Sequence, residues 1–317
     1  MKMARMFLNR LVSALSAALV SSLVVFLLLR AVPGDIVAQM MGQASDPQAA
    51  QALRGFFGLD RPLASQFLEW LGQVLQGDLG RSWYQGKPVT RMIGDAFVVT
   101  LEIALLTLLL STLIGVPMGV AAGLREGGRV DTLIQAVNLL GLSAPVFWVG
   151  LMLLVGASAW LGWSPPFAYS SPSENLADNL SMIVLPVVSL SVLQTAAYSQ
   201  FVRDCMVAEL RRDYIRAARA KGLSLARIHY WHALRNILIP LTTFMGVILI
   251  QILGGTVVIE SLFSIPGLGR LILSGIQGRD YPVVQGALLF VVLIAISVNV
   301  LVDLLYGLID PRLRATS

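Results

Sequence analysis

The sequence is poor in the residues that do chemistry. Of 317 residues, Cys205 is the only cysteine, so no intrachain disulfide and no thiolate metal cluster can be built from it. The only histidines, His229 and His232, are three apart and can share a helix face, but no HExxH pattern makes them zinc ligands, and interfacial packing accounts for them. The only lysines, Lys2, Lys87 and Lys221, precede Met3, Pro88 and Gly222. A phosphate-cradling loop needs Lys followed by Ser or Thr, so none of that form exists here. Charge is scarce too, at 13% of residues against 56% hydrophobic, with mean hydropathy +0.76. Those values lie far from globular averages. A soluble core of this size cannot cover apolar runs such as Ala96–Leu124, whereas a bilayer takes about 20 helical residues to cross.

The charge that remains is positive, +5 net with a pI near 9.7. Clustered cations attract nucleic-acid phosphates, but here they flank apolar runs, which favours membrane orientation over a nucleic-acid partner. Six candidate spans follow: Leu11–Leu29, Ala96–Leu124, Leu133–Leu161, Met182–Val202, Ile237–Val258 and Val283–Leu308. Glu102 and Asp303 interrupt two of them near their ends, where a carboxylate reaches water or a neighbouring helix. The first run follows Lys2, Arg5 and Arg10 as a signal peptide would, but it is long for one and no small-residue cleavage site follows, so it reads as a retained helix. The expected fold is an all-α integral membrane protein.

Positive charge is retained on the cytoplasmic side. The link between spans four and five carries Arg211, Arg212, Arg216, Arg219, Lys221, Arg227 and Arg235, whereas Gly162–Ser181 carries no cation. The two links therefore face opposite sides. With six spans both termini are cytoplasmic, in keeping with Arg312 and Arg314 at the end and with Arg125 and Arg129 between spans two and three. The loop after span one is external although it holds Arg54, Arg61, Arg81, Lys87 and Arg91, because long loops cross largely regardless of charge. Within it Leu63, Phe67, Trp70, Leu71, Val74 and Leu75 recur at helical spacing between Pro62 and Gly77, which predicts an amphipathic helix. That helix either lies on the bundle or interface or gates the solute.

The segment from Asp213 to Pro240 is basic and amphipathic. Ala217, Ala218 and Ala220 favour a short helix, Gly222 can end it, and Ser224 can cap the next. On charge alone it is either a solvated basic loop or a rigid element that fits a groove on another protein. Arg216, Ala217, Ala218, Gly222, Ile237 and Pro240 resemble the EAA loop of ATP-binding-cassette importer permeases, with Arg216 in place of the acidic first residue. The longer stretch from Gly222 to Ile237 is similar to the dipeptide and oligopeptide branch. The resemblance extends to Val32-Pro33-Gly34-Asp35, Gly58-Leu59-Asp60-Arg61-Pro62, Gly77-Asp78-Leu79-Gly80-Arg81-Ser82, Ser143-Ala144-Pro145, Glu260, Phe263, Pro266-Gly267-Leu268-Gly269, Arg279-Asp280-Tyr281-Pro282 and Asp310-Pro311-Arg312. It implies a type I importer fold of six transmembrane helices with a large external loop after the first. It further implies a second permease, two ATPase subunits that bind ATP and Mg, an extracytoplasmic solute-binding protein, and a bacterial inner membrane. The same family implies that Asp213, Arg216, Ala217, Ala218, Lys221 and Gly222 form an ATPase-coupling loop, within about 204–240, and that this chain itself holds no cofactor.

Residues 1–95 read as a first helix plus external loop, 96–310 as the transport core, and 311–317 as a cytoplasmic tail. Gln194, Gln251, Ser297 and Asn299 fall near the midplanes of their spans, where polar side chains either line a pathway or hydrogen-bond between helices. Gly115, Gly119 and Gly123 recur every four residues and permit close helix contact, with Pro117 able to kink the helix between them. Glu260 and Asp280 either bracket an external mouth or are simply solvated. Solutes consistent with the family are peptides, nickel chelates and glutathione. A self-sufficient secondary transporter is a weaker reading because the span centres are poor in carboxylates. An intramembrane enzyme finds no nucleophile motif or carboxylate pair to support it.

Overall fold

The computed structural model describes residues 2–31, 37, 41, 46–166 and 168–309, with the side chains of 2–11 and 303–309 outside the description. Val32-Pro33-Gly34-Asp35, Asp303's side chain, Asp310-Pro311-Arg312 and the tail therefore lie outside the described residues. The described chain is helical: α1 (Lys2–Ala31), α2 (Pro47–Phe56), α3 (Leu63–Leu75), α4 (Val89–Leu124), α5 (Arg129–Ser143), α6 (Val146–Leu161), α7 (Leu176–Leu210) and α8 (Asp213–Ala220). A π-helical segment, Arg227–Leu234, then leads directly into α9 (Arg235–Leu262), followed by α10 (Leu268–Gly278) and α11 (Tyr281–Ile309). Among the described residues the sole β feature is an isolated antiparallel bridge between Arg81 and Pro88.

Five helical stretches are long and apolar enough to cross a membrane: Val12–Ala31, Val89–Leu124, Leu176–Leu210, Arg227–Leu262 and Tyr281–Val302. The run expected as the third span, Leu133–Leu161, is not a single continuous helix. It is two helices, α5 and α6, meeting at 98°. The cause is Pro145, which has no N–H to give to the helix and pushes the preceding residue out of the α region; Ala144 duly sits at φ −76°, ψ 122°. Counting the bent pair as one, up to six spans result. The amphipathic helix of the first loop is α3, and it ends as expected at Gly77, whose N–H donates to the Val74 carbonyl while Asp78 N–H reaches Gln73.

The chain divides into two compact units, one of residues up to 97 with 271–296, the other of 98–270 with 297 onward. In the first, the two distant motifs around Ser82 and Asp280 meet. Ser82 Oγ and Trp83 N–H both donate to the Asp280 carboxylate, the second at 3.1 Å, and the Trp83 and Tyr281 rings pack at 5.5 Å. Asp280 is 5% exposed, so the solvated alternative for it is overturned: a carboxylate loses less by desolvation when donors surround it.

In the second unit, α4 lies directly against α7. A methyl added at Gly119 would fall 2.5 Å from the Ser199 carbonyl oxygen, and one at Gly115 or Gly123 would fall 2.7 Å from the Cβ of Tyr198 or Met206. The four-residue spacing is thus a backbone seam, continued toward the start of α4 by buried Thr107 and Ser111. On α5, Asp131 takes a two-pronged contact from Arg203 of α7, Nε to Oδ1 at 2.6 Å and Nη2 to Oδ2 at 2.8 Å, and also accepts from Gly127 N–H. Glu260, expected at a mouth or in solvent, is fully buried. Its carboxylate accepts from Thr100 Oγ1 at 2.7 Å and from Arg270 N–H at 3.0 Å, at the N-terminal end of α10, where backbone donors and the helix dipole favour negative charge. Glu102 likewise finds neighbours, accepting from the Tyr169 hydroxyl at 2.6 Å and Asn179 Nδ2 at 3.3 Å.

Candidate coupling element and pathway residues

The basic link forms the predicted helix, turn and helix. α8 closes at Gly222, whose φ of +75° is the left-handed region an L side chain rarely adopts. Gly222 N–H donates to Arg219 and Leu223 N–H to Ala218, the paired bonds that satisfy the last carbonyls of a helix. Ser224 does not act through its hydroxyl as expected; its backbone carbonyl accepts from Ile228 N–H at 3.1 Å and starts the next helical stretch. That stretch is π-helical, with i→i+5 geometry that the sequence did not announce.

Two faces of α8 have different tasks. Ile215 and Ala218 are buried, at 0% and 8% exposure, in a cluster with Val202 and Met206 of α7, Ile228 and Ala233 of the π segment and Ile237 of α9. Asp213, Arg216, Ala217, Lys221 and Gly222 are exposed. Of the six residues singled out in sequence, Ala218 thus faces inward and the other five are on display. Arg216 pairs with Asp213 one turn away on that outer face.

Sequence reasoning missed the residue that ties this element down, Glu209. It is 7% exposed and sits at the end of α7. Its Oε1 accepts from the Tyr214 hydroxyl at 2.6 Å and from Asn236 Nδ2 at 3.0 Å, and its Oε2 pairs with Arg212 at 2.9 Å. Asn236 Nδ2 also reaches the Tyr214 oxygen at 2.8 Å. One carboxylate therefore joins α7, α8 and α9. Burial, together with the hydrogen bond to Glu209, pushes the Tyr214 phenol up to about 12, so it remains a donor at physiological pH. The only signal in sequence was an acidic residue beside Arg211 and Arg212, which reads equally well as a surface ion pair.

The four midplane candidates are not alike. Gln194 of α7 is 4% exposed and its Oε1 has no hydrogen-bond partner. Gln251 of α9 and Ser297 and Asn299 of α11 are exposed. Gln251 lies on a face of α9 with Val247, Gly254 and Val258, all exposed and spaced at helical period.

Long apolar helices joined by a short basic helix, tethered on one face and displayed on the other, are the architecture of a multi-pass membrane protein. The chain belongs to the family described as binding-protein-dependent transport system inner membrane component, whose model matches residues 115–315, while the family's N-terminal model matches 3–104. It is 37% identical over 307 residues to a probable peptide ABC transporter permease protein of Sinorhizobium fredii, covering 97% of this chain and 98% of that one. It is 39% identical over 315 residues to the di/tripeptide transport system permease protein DppB of Pseudomonas aeruginosa, covering 92% and 94%. A solved structure of the MetNI methionine ABC transporter, in inward-facing conformations, shares the fold with TM-score 0.58 at 17% identity, over 69% of this chain and 96% of that one.

Proposed function

We propose that this chain is one of two permease subunits through which an ATP-driven importer takes up peptides, with nickel chelates or glutathione as the alternative cargo for the same type of complex. The observation that carries the reading is the displayed face of α8: five exposed residues ending at a left-handed glycine, on a helix whose other face is bolted to two spans. Such an element transmits force because it can be pushed without coming loose. ATP and Mg are bound by two partner ATPase subunits, and Asp213, Arg216, Ala217, Lys221 and Gly222 form the surface on which one of them docks, with Ala218 as its inner anchor. Closure of the ATPases moves α8, and through Glu209 and the buried cluster moves α7 and α9 between inward-open and outward-open arrangements.

In this reading the α8 side and both termini are cytoplasmic, and the region of α2 and α3 faces a solute-binding protein outside. Residues 1–95 are a first helix plus external loop, 96–310 the transport core and 311–317 a cytoplasmic tail; the N-terminal family match over 3–104 supports the first boundary approximately, while 271–296 belong to the same compact unit as the N-terminal residues. We assign Gln194, Gln251, Ser297 and Asn299 to the solute pathway on their polarity within long apolar helices.

The test of coupling is Gly222→Trp in the assembled importer reconstituted in vesicles. A Cβ at Gly222 meets no atom within 4 Å, while φ of +75° strains any L side chain there and the indole adds bulk to the exposed docking surface. Membrane insertion and ATP hydrolysis should persist while uptake falls away; normal uptake would refute the reading. The cargo is tested by titrating the associated binding protein with di- and oligopeptides, nickel chelates and glutathione, tight peptide binding being the expected result.

A further inference from the structure

A cavity of about 250 Å³ lies in the unit formed by residues up to 97 and 271–296, beside the end of α1. Its lining includes Arg30, Gln66, Trp70, Trp83, Tyr281 and Gln285. Arg30 is held by neutral groups. Its Nε and Nη2 donate to Gln66 Oε1 at 3.2 and 3.1 Å, its Nη1 reaches Gln285 Oε1 at 3.5 Å, and its guanidinium lies 3.9 Å from the centre of the Phe26 ring. Among the described residues no carboxylate pairs with it. Among those residues this half-buried cation meets only amides and rings, which satisfy its hydrogen bonds without cancelling its charge.

Two further donors in the same lining are left over. Gln285 is 3% exposed and its Nε2 has no partner, and the Trp70 Nε1 is buried and likewise unpartnered. Buried polar groups are almost always satisfied, so leftover donors of one kind in one cavity describe the ligand by its complement, an acceptor. Its charge is set by the neighbours. Two guanidiniums, Arg30 and Arg81, favour an anion, while Glu69, also in the lining and paired with Arg61, leaves a net of one positive charge and disfavours a second negative one. A flat monoanion whose two oxygens match the guanidinium fork is a carboxylate. The Trp83 and Tyr281 rings provide a wall for an apolar or aromatic substituent, and the volume is at or below the small end of ligand pockets, roughly 300 Å³.

We propose that this cavity is a binding site for a small organic carboxylate carrying a flat apolar substituent, separate from the coupling element and from the midplane residues. The proposal does not rest on docking to the ATPases. The experiment is equilibrium dialysis of radiolabelled phenylacetate against the assembled importer in lipid nanodiscs, with phenylacetamide and phenylphosphonate as competitors. Wild type should bind phenylacetate saturably, and phenylacetamide should fail to displace it. Gln285→Leu and Trp70→Phe should each weaken binding roughly tenfold, the worth of one hydrogen bond to a charged ligand, and Arg30→Gln should abolish it. Should Arg30→Gln fail to assemble, the other two variants decide the matter. Absence of saturable binding, unchanged affinity in both Gln285→Leu and Trp70→Phe, or displacement by phenylphosphonate more effective than by unlabelled phenylacetate would overturn the proposal. Gly222→Trp should bind phenylacetate as wild type does, so a failure of coupling and a failure of this site are told apart.

Discussion

Replacing Glu209 by leucine removes the acceptor shared by Tyr214 and Asn236 and leaves both donors without it at the root of α8. Two hydrogen bonds to a charged acceptor, at ~1.5 kcal/mol each, amount to ~3 kcal/mol. The third contact adds little: Arg212 is 66% exposed and such pairs contribute at most about 1 kcal/mol. About 3 kcal/mol is roughly a hundredfold change in an opening equilibrium. Because Ile215 and Ala218 still pack against α7, the loss should appear as local opening of α8 rather than unfolding of the spans. Amide hydrogen exchange over Asp213–Ala220 should accelerate roughly a hundredfold in Glu209→Leu, with exchange in α4 and α6 unaltered. Glu209→Gln retains an oxygen acceptor and should lose only about 1 kcal/mol. In reconstituted vesicles the number of solutes taken up per ATP should drop in the leucine variant and much less in the glutamine one. If exchange over α8 is the same in wild type and Glu209→Leu, the carboxylate is not what holds this element, and the proposed transmission route fails.

Other perturbations probe separate parts of the molecule. Asp131→Ala strips Arg203, 17% exposed, of its two-pronged partner but leaves Asp204 on its Nη1 at 3.1 Å, and should cost ~1–3 kcal/mol, read as a lower thermal midpoint of the purified importer. Gly267→Ala places a methyl onto the Glu260 carboxylate and should destabilise by ~1–3 kcal/mol, whereas Gly254→Ala, with open space at its Cβ, should stay within about 0.5 kcal/mol; equal thermal midpoints for the two would contradict the packing described around Glu260. Gln194→Leu combined with Gln251→Leu should change the rate or solute preference of uptake while assembly is preserved, and transport indistinguishable from wild type would remove both from the pathway.

Much of the helical layout is written in local pattern, because an uncharged apolar run of bilayer length has few other places to go. Helix ends were less legible. α4 begins at Val89 and α7 spans Leu176–Leu210, both longer than their apolar runs, since Asp178 and Arg203 continue the backbone hydrogen bonding where hydropathy has already faded. The break at Ala144 was visible as a proline, yet hydropathy alone joined its two sides into one span. The α8 turn was legible because Gly222 carries its conformational preference with it. Glu209, Glu260 and Asp280 were not, because their donors lie on other elements: Thr100 is 160 residues from Glu260, and Ser82 is 198 from Asp280. Nothing local distinguishes a carboxylate with such partners from one in water. The polar midplane residues were found by position, but whether each faces inward or outward depends on helix phase, and only Gln194 proved buried.

The widened segment Arg227–Leu234 stands between the displayed helix and the long span that follows it without a break. Its five-residue rungs leave the His232 carbonyl within 3.5 Å of the Tyr214 hydroxyl. A coil of that kind is a slack thread: tightening it by one residue to ordinary α register would turn everything downstream by about 100° about its own axis. Gln251 would then swing to a different azimuth although no atom near it had been touched. A short push at one end of such a screw is delivered at the other as rotation.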